Sequence, residues 1–194
     1  SSWILASANL PTDTVLTLEG KGVSNRHSNL TAEMVQSAGC TVELSDGKCL
    51  LKPWSPNGEG SYAVPGDASM ASFAVLACYC LSSKIQLIGW PENKNAIGHE
   101  ILQDSAIEYG IQWSNGLLEA MDKATSVHLD VTDSNDILPP MAALLALGGG
   151  GKITGAAHAA HKESNRLTRT VELLGHFGLQ ATLHADGVEV EGNQ

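Results

Sequence analysis

The apolar and polar positions of this chain follow one pattern written three times. LTAEMVQSAGCTVELSDGKCLLKPW, HEILQDSAIEYGIQWSNGLLEA and RLTRTVELLGHFGLQATLHADGVEVEG each begin with apolar residues at helical spacing. Each then passes a glycine and switches to strand-like alternation on both sides of a tight turn. Gly39, Gly110 and Gly178 stand where the helix ends, because glycine takes the left-handed cap conformation at little cost. Asp46-Gly47, Asn115-Gly116 and Asp186-Gly187 suit two-residue hairpin turns.

The match continues upstream. TVLTLEG, KIQLIGW and KITGA read as short strands running into Gly20, Gly89 and Gly155. Ala-rich apolar helices precede them: SSWILASANL, ASMASFAVLACYCLSS and ILPPMAALLALGG. Before the second and third of these lie further strands, YAVPGD and VHLDVTD. The pattern predicts an α/β fold of α+β-type repeats, each a βαβαββ unit of about 70 residues. Three repeats are present, the first lacking its opening strand because the chain starts inside its first helix. A sheet missing a member leaves backbone groups unpaired, and the chain does not begin with Met, so residue 1 is expected not to be a natural beginning. The Pro/Gly/Ser-rich stretch SPNGEGS, residues 55 to 61, is expected to mark a domain boundary.

Composition narrows the function classes. The longest uninterrupted apolar stretch, Phe73 to Leu81, is too short to cross a bilayer, and no basic residues precede the apolar part of the N-terminus as in a secretory signal. A net charge of -10 argues against general nucleic-acid binding, which needs a surplus of Lys and Arg on one face. It leaves room for a small anion held locally, and Lys162, Arg166 and Arg169 form one dense basic cluster. Cys40, Cys49, Cys78 and Cys80 show no C-x-x-C spacing and are expected as reduced, mostly buried thiols of a cytosolic protein.

Polar chemistry collects at helix starts, where free N–H groups and the helix dipole favour anions. Ser1 and Ser2 open the first helix, Asp67-Ala68-Ser69 the matching one, and Asn135 and Asp136 the third, with Pro139 suited to its first turn. Ser69, Asn29 and Asn95 are expected as ordinary N-caps. Three segments exceed a cap. HKESNR offers Lys162 and Arg166, on one helix face if the helix begins early enough. Glu163 beside them is either a surface ion pair or a carboxyl placed to move a proton, with His158 upstream. DVTDSNDILPP carries Asp130, Asp133 and Asp136 but fails the spacing of a calcium loop, leaving caps or one carboxylate poised as a base. In GVSNRHSN, Ser24, Arg26 and His27 reach a phosphate or cap the helix. His158 and His161 lack an H-E-x-x-H pattern and a third ligand, so no metal is expected.

In order and spacing SSWILASA, GVSNRHSN, YAVPGDASMASF, DSNDILPPMAAL and HAAHKESNRL resemble the motifs of the EPSP synthase family of enolpyruvyl transferases, over essentially the whole chain. The family patterns are S-S-Q, V-S-[KR]-P-Y, G-D-A-S-S-A-S, D-x-P-D and K-E-[ST]-D-R. The resemblance implies an inside-out α/β barrel of two domains with three repeats each. Residues 1–61 would be the last repeat of the first domain plus crossover linker, and residues 62–194 the first two repeats of the second. It implies transfer of the enolpyruvyl group from phosphoenolpyruvate to the 5-hydroxyl of shikimate 3-phosphate, with release of phosphate and no metal or organic cofactor. Neither nucleic acid nor membrane would be a partner, and the whole enzyme would be a cytoplasmic monomer.

Carried over by position, Ser1, Ser2 and Ser24 would bind the shikimate phosphate, and Trp3 would stand at a position that touches both substrates. Asp136 would hold the shikimate hydroxyls and act as base, and Glu163 would move the proton to and from the methylene carbon. Lys162 would contact shikimate 3-phosphate, Arg166 would clamp the phosphoenolpyruvate carboxylate, and His158 occupies a substrate-binding position where the family carries Asn or His. The sequence departs from the family at Trp3 (usually Gln), Arg26-His27 (Pro-Tyr), Met70 (Ser), Ala160 (often Arg) and Asn165 (Asp). Indole can donate one hydrogen bond but accepts none. Other cationic ligands of the family have no counterpart here, so the 194 residues alone are expected to be inactive. The alternatives are a noncatalytic relative that keeps the fold, and the sister enzyme acting on UDP-N-acetylglucosamine, which lacks the K-E-S-x-R segment.

Overall fold

The computed structural model describes residues 1–19, 25–45, 47–57, 64, 66–91 and 98–194. The chain divides into two compact units, Ser1–Val64 and Pro65–Gln194. Ser24, Asn95, Asp46 and half of YAVPGD, expected as a strand, lie outside the described residues.

In the first unit, a one-turn helix α1 (Ser2–Ala6) runs through a 3-10 turn (Ser7–Asn9) to β1 (Thr14–Thr17). Helix α2 (Asn25–Ser37) follows, then the hairpin β2 (Val42–Ser45) and β3 (Lys48–Leu51). The sheet order is β1-β3-β2, all antiparallel, with Val15 opposite Leu50 and Glu43 opposite Leu50 on the other side. Ile4, Ala32, Val35, Val42, Cys49 and Leu51 form its core. Buried Ser7 is satisfied there, donating to the Ile4 carbonyl at 2.6 Å and accepting from Trp54 Nε1 at 3.0 Å. Asn29 lies inside α2 rather than capping it.

In the second unit, α3 (Ala71–Cys80), β4 (Lys84–Gln86), a one-turn α4 (Ile101–Asp104), β5 (Ile111–Ser114) and β6 (Leu117–Ala120) build a sheet of order β4-β6-β5. Beyond Asp104 the expected longer helix tightens into turns, with Ala106 N–H bonded three residues back to Gln103. Then come β7 (Val127–Asp130), α5 (Leu138–Leu147), β8 (Gly151–Thr154), α6 (Arg166–His176), β9 (Ala181–His184) and β10 (Gly187–Val190), in the sheet order β7-β8-β10-β9. β7 and β8 are parallel, and β8 pairs antiparallel with β10. In all three sheets the second hairpin strand sits between the first and the strand that precedes the hairpin's helix.

Helix α5 has no polar residue, and it is buried nearly all round (Leu138, Met141, Ala142, Leu144, Leu145 and Ala146), as an all-apolar helix must be. Helix α6 is amphipathic and buries only Leu167, Thr170 and Leu174, spaced three and four apart. One continuous core joins these helices to Val75, Leu102, Tyr109, Ile111, Leu118, Leu129 and Ile153. Among the described residues no helix is long and apolar enough to cross a membrane.

Gly39 and Gly178 stand two residues past their helices at positive φ of 98° and 78°, whereas Gly110, at 90°, closes the turns that follow α4 instead of ending a helix. Asn115 and Gly116 take φ of 50° and 75° between paired Ser114 and Leu117. The third hairpin differs from expectation. His184 pairs with Gly187, so the turn residues are Ala185 and Asp186, and Gly187 opens the strand. Close approach explains the glycine: a Cβ there would stand 1.8 Å from the Ile153 carbonyl oxygen of β8. Cys40, Cys49 and Cys78 are buried free thiols, whereas Cys80, two residues on along α3, faces solvent.

Gly187→Ala is therefore expected to destabilise the second unit by about 2–3 kcal/mol through overpacking. Gly175 lies in α6 with nothing within 4 Å of its missing Cβ, so Gly175→Ala is expected to stabilise by roughly 0.5–1 kcal/mol. Urea midpoints of the two variants shifting in the same direction would contradict this.

Candidate functional site

The parallel pairing of β7 and β8 sends the chain out of both strands at the same end of the sheet. After β7, Asp130 accepts from the Thr132 N–H at 2.9 Å and from its hydroxyl at 2.6 Å, turning the backbone toward the 3-10 turn Asn135–Ile137 and α5. After β8, a 3-10 segment, Ala157–His161, leads through Lys162, Glu163 and Ser164 to α6. Asn165 caps that helix, its side chain accepting from the Thr168 N–H at 3.1 Å. Asn165 thus supplies the cap that an Asp in the same place would supply. Because α6 begins only at Arg166, Lys162 precedes it, and the two do not share a helix face.

Arg166 lies between two carboxylates. Its Nε donates to Glu163 Oε1 at 2.9 Å and its Nη2 lies 2.8 Å from the same oxygen, while Nη1 donates to Asp136 Oδ1. The bland expectation for Glu163, an ion pair, is thereby realised alongside its place in a cleft. Burial pushes the Asp136 carboxyl upward, but the hydrogen bond and charge of Arg166, joined by Lys162 and His99, outweigh it and leave it below the ordinary value. Exposed Glu163 is also held low, first by its own backbone N–H and then by Arg166. The Asp136 hydrogen bond, then Glu163, hold Arg166 more firmly protonated against the opposing effect of burial.

These three residues line an open cleft of about 590 Å³ within the second unit, together with Asp67, Ser69, Phe73, Ser164, Arg169 and Thr170. Its lining also includes the apolar side chains of Met70, Phe73, Pro139 and Leu173. Asp67, not Ser69, is the cap there, accepting from the Ser69 N–H at 2.9 Å and from its hydroxyl at 2.6 Å. Thr170 is buried, and its hydroxyl has no hydrogen-bond partner among the described residues. Among the described residues no group of three His, Cys, Asp or Glu side chains is placed to hold a metal ion.

Lys162 and His158 lie close enough for the Lys162 charge to act on both Asp136 and His158. His158 Nε2 meets the side-chain amide of Asn135, which also faces Arg166 Nη1 at 3.5 Å. Asn135 was visible in sequence only as a neighbour of Asp136. Its signal was an amide in a helix-start motif whose family pattern has proline there. Phe73 and Thr170 carried no signal, being an apolar and a small polar residue on helical faces.

The remaining candidates belong to the first unit. Ser1 Oγ accepts from Thr31 Oγ1 at 2.8 Å and reaches the His27 carbonyl at 3.4 Å, which ties the start of α1 to the first turns of α2. It makes no side-chain cap bond to α1. Ser2 and Trp3 are exposed, the indole side chain standing largely in solvent.

The pKa shift of Asp136 has a defined sign. A carboxylate with a folded pKa below its unfolded value adds stability above about pH 4 and loses it as the pH falls through the lowered folded value. Asp136→Asn is expected to lower the urea midpoint at pH 7 by the equivalent of about 1 kcal/mol, a modest effect because the side chain is 45% exposed. The gap from the unsubstituted protein should close as the pH is taken below about 4. A gap that widens in acid would refute the assignment.

The family model described as EPSP synthase (3-phosphoshikimate 1-carboxyvinyltransferase) matches residues 1–194. A 3-phosphoshikimate 1-carboxyvinyltransferase of Methanocella arvoryzae is 26% identical over 198 residues, 100% of this chain and 47% of the relative. That of Methanothermobacter thermautotrophicus is 27% identical, over 98% of this chain and 46% of the relative. The fold is similar to that of EPSP synthase from Acinetobacter baumannii, with a TM-score of 0.72 at 22% identity over 97% of this chain and 45% of that one. It is also similar to the enolpyruvyl transferase NikO from Streptomyces tendae, with a TM-score of 0.62 at 14% identity. The chain spans about half the length of the curated relatives it matches. With its mixed α/β sheets and the family model matched from first residue to last, the chain belongs to the EPSP synthase family.

Proposed function

We propose that this chain is part of an enolpyruvyl transferase that moves the enolpyruvyl group of phosphoenolpyruvate to the 5-hydroxyl of shikimate 3-phosphate and releases phosphate. The observation that carries this reading is one guanidinium, Arg166, held between Asp136 and Glu163 in a cleft, in a chain matched throughout by the family model. The relatives' activity is known by name for proteins about twice this length. The three sheets are read as three βαβαββ repeats, the first without its opening strand. Residues 1–61 would close one domain and residues 62–194 supply two repeats of the next, in a cytoplasmic, monomeric enzyme.

The chemistry fits the side chains. Attack of the 5-hydroxyl oxygen on C2 of phosphoenolpyruvate needs a base for the hydroxyl proton and an acid for C3. Asp136, kept ionised by Arg166, suits the first role. Glu163, ionised while it holds Arg166, would take the second role once Arg166 turns to the phosphoenolpyruvate carboxylate. Relieved of that cation it would bind a proton, deliver it to the methylene carbon and later take one back from the methyl group as phosphate leaves the tetrahedral intermediate. Arg166 presents a planar two-pronged donor matched to a carboxylate. Lys162 and His158 would contact shikimate 3-phosphate, with Ser1, Ser2 and Ser24 on its phosphate and Trp3 in place of a glutamine contact.

Phosphate release from shikimate 3-phosphate plus phosphoenolpyruvate tests this in a protein of the relatives' full length containing these residues. Glu163→Gln is expected to lower kcat by on the order of a hundred- to ten-thousand-fold. Arg166→Lys is expected to act mainly on the KM for phosphoenolpyruvate, since an ammonium cannot form two parallel bonds to one carboxylate. The 194 residues alone are expected not to turn over. Full activity in Glu163→Gln would remove Glu163 from the mechanism.

A further inference from the structure

We propose that Asn135 is a positioning residue that locks the His158 imidazole in its Nδ1–H tautomer and braces the Arg166 guanidinium with the same amide. Asn135 is 3% exposed, so its side chain must find its partners within the protein. Two lie within reach: Arg166 Nη1 at 3.5 Å from Oδ1, and His158 Nε2 against Nδ2.

The orientation follows from what each group can do. A guanidinium only donates, so the amide oxygen must face Arg166. That leaves the amide NH2, itself only a donor, facing His158. The imidazole Nε2 must then accept and carry no proton, so a neutral ring bears its proton on Nδ1. An imidazolium would set N–H against N–H at a partly buried contact. The charged groups around the ring agree with a neutral form. Burial, then the positive charge of Lys162, disfavour protonation and prevail over Asp136 and Asp133 on the turn after β7. Arg166, at the start of α6, lies across the amide from the ring.

The consequence is a histidine prepared as a neutral hydrogen-bond donor through Nδ1, next to a lysine and an arginine. Its use toward a substrate oxygen rests on the function proposed above; the tautomer itself does not.

The test is long-range 1H–15N NMR of the imidazoles in the 194-residue chain, with the His158 signals assigned from a His158→Gln spectrum. At pH 7 the Nδ1 of His158 should show the shift of a protonated ring nitrogen and Nε2 that of a bare one. Its titration midpoint should lie below the ordinary value of about 6.5. Asn135→Asp keeps the shape but replaces the donor with an acceptor. It should reverse the tautomer to Nε2–H and raise the midpoint by about one unit or more, a tenfold or greater change in proton affinity. An Nε2–H tautomer in the unsubstituted chain would overturn the proposal, and that spectrum decides even if the variant does not fold. An unchanged tautomer and midpoint in a folded Asn135→Asp chain would overturn it as well. Neither result depends on catalysis, so a failed activity assay leaves this inference standing.

Discussion

The parallel pairing of β7 with β8 is the constraint from which the cleft follows. Two parallel neighbours cannot be joined by a tight turn; the chain must cross back over the sheet, and α5 is that crossing. An all-apolar helix can serve only if it is buried, and its side chains fill the space above Leu129 and Ile153. Once the crossover is in place, the segments leaving β7 and β8 have no choice of end. Asp136 and Arg166, thirty positions apart in sequence, become neighbours because their strands run the same way.

A second requirement is local. Arg166 is the first residue of α6, so the position of its guanidinium depends on where that helix begins. Asn165 sets the beginning through its bond to the Thr168 N–H. The i, i+3 spacing of Glu163 and Arg166 bridges the helix start instead of lying along a helix face. The buried positions of α6, Leu167, Thr170 and Leu174, hold the helix against the core and leave Arg169 and Leu173 lining the cleft.

Much of this was legible in the residues themselves. Helix-ending glycines, hairpin turns and the all-apolar α5 report backbone conformation and burial, which single residue types encode directly. Gly187 was legible as a turn signal and misread, since glycine marks both left-handed turns and close approach of another strand, and only the neighbouring Ile153 carbonyl tells them apart. Arg166 stood out because basic residues are few in this chain, whereas Asp136 and Glu163 were marked by their places at helix starts and by the family motifs. Asn135 did not, because the role of an amide is decided by partners 23 and 31 residues away that no local pattern reveals. Phe73 and Thr170 enter the cleft only through the packing of α3 against α5 and of α5 against α6.

Arg166 does not wait in the cleft as a bare cation. It is already neutralised by two carboxylates on separate segments, each anchored to its own stretch of backbone. Under the proposed function an entering anion would therefore compete in an exchange, its gain being the difference between its own bonds and those it displaces. A spherical ion offers one point of charge and gains little over either acid. A planar carboxylate that takes two guanidinium N–H groups at once gains more. Under the proposed function, the two resident acids would act as a threshold that selects incoming anions by shape rather than by charge alone.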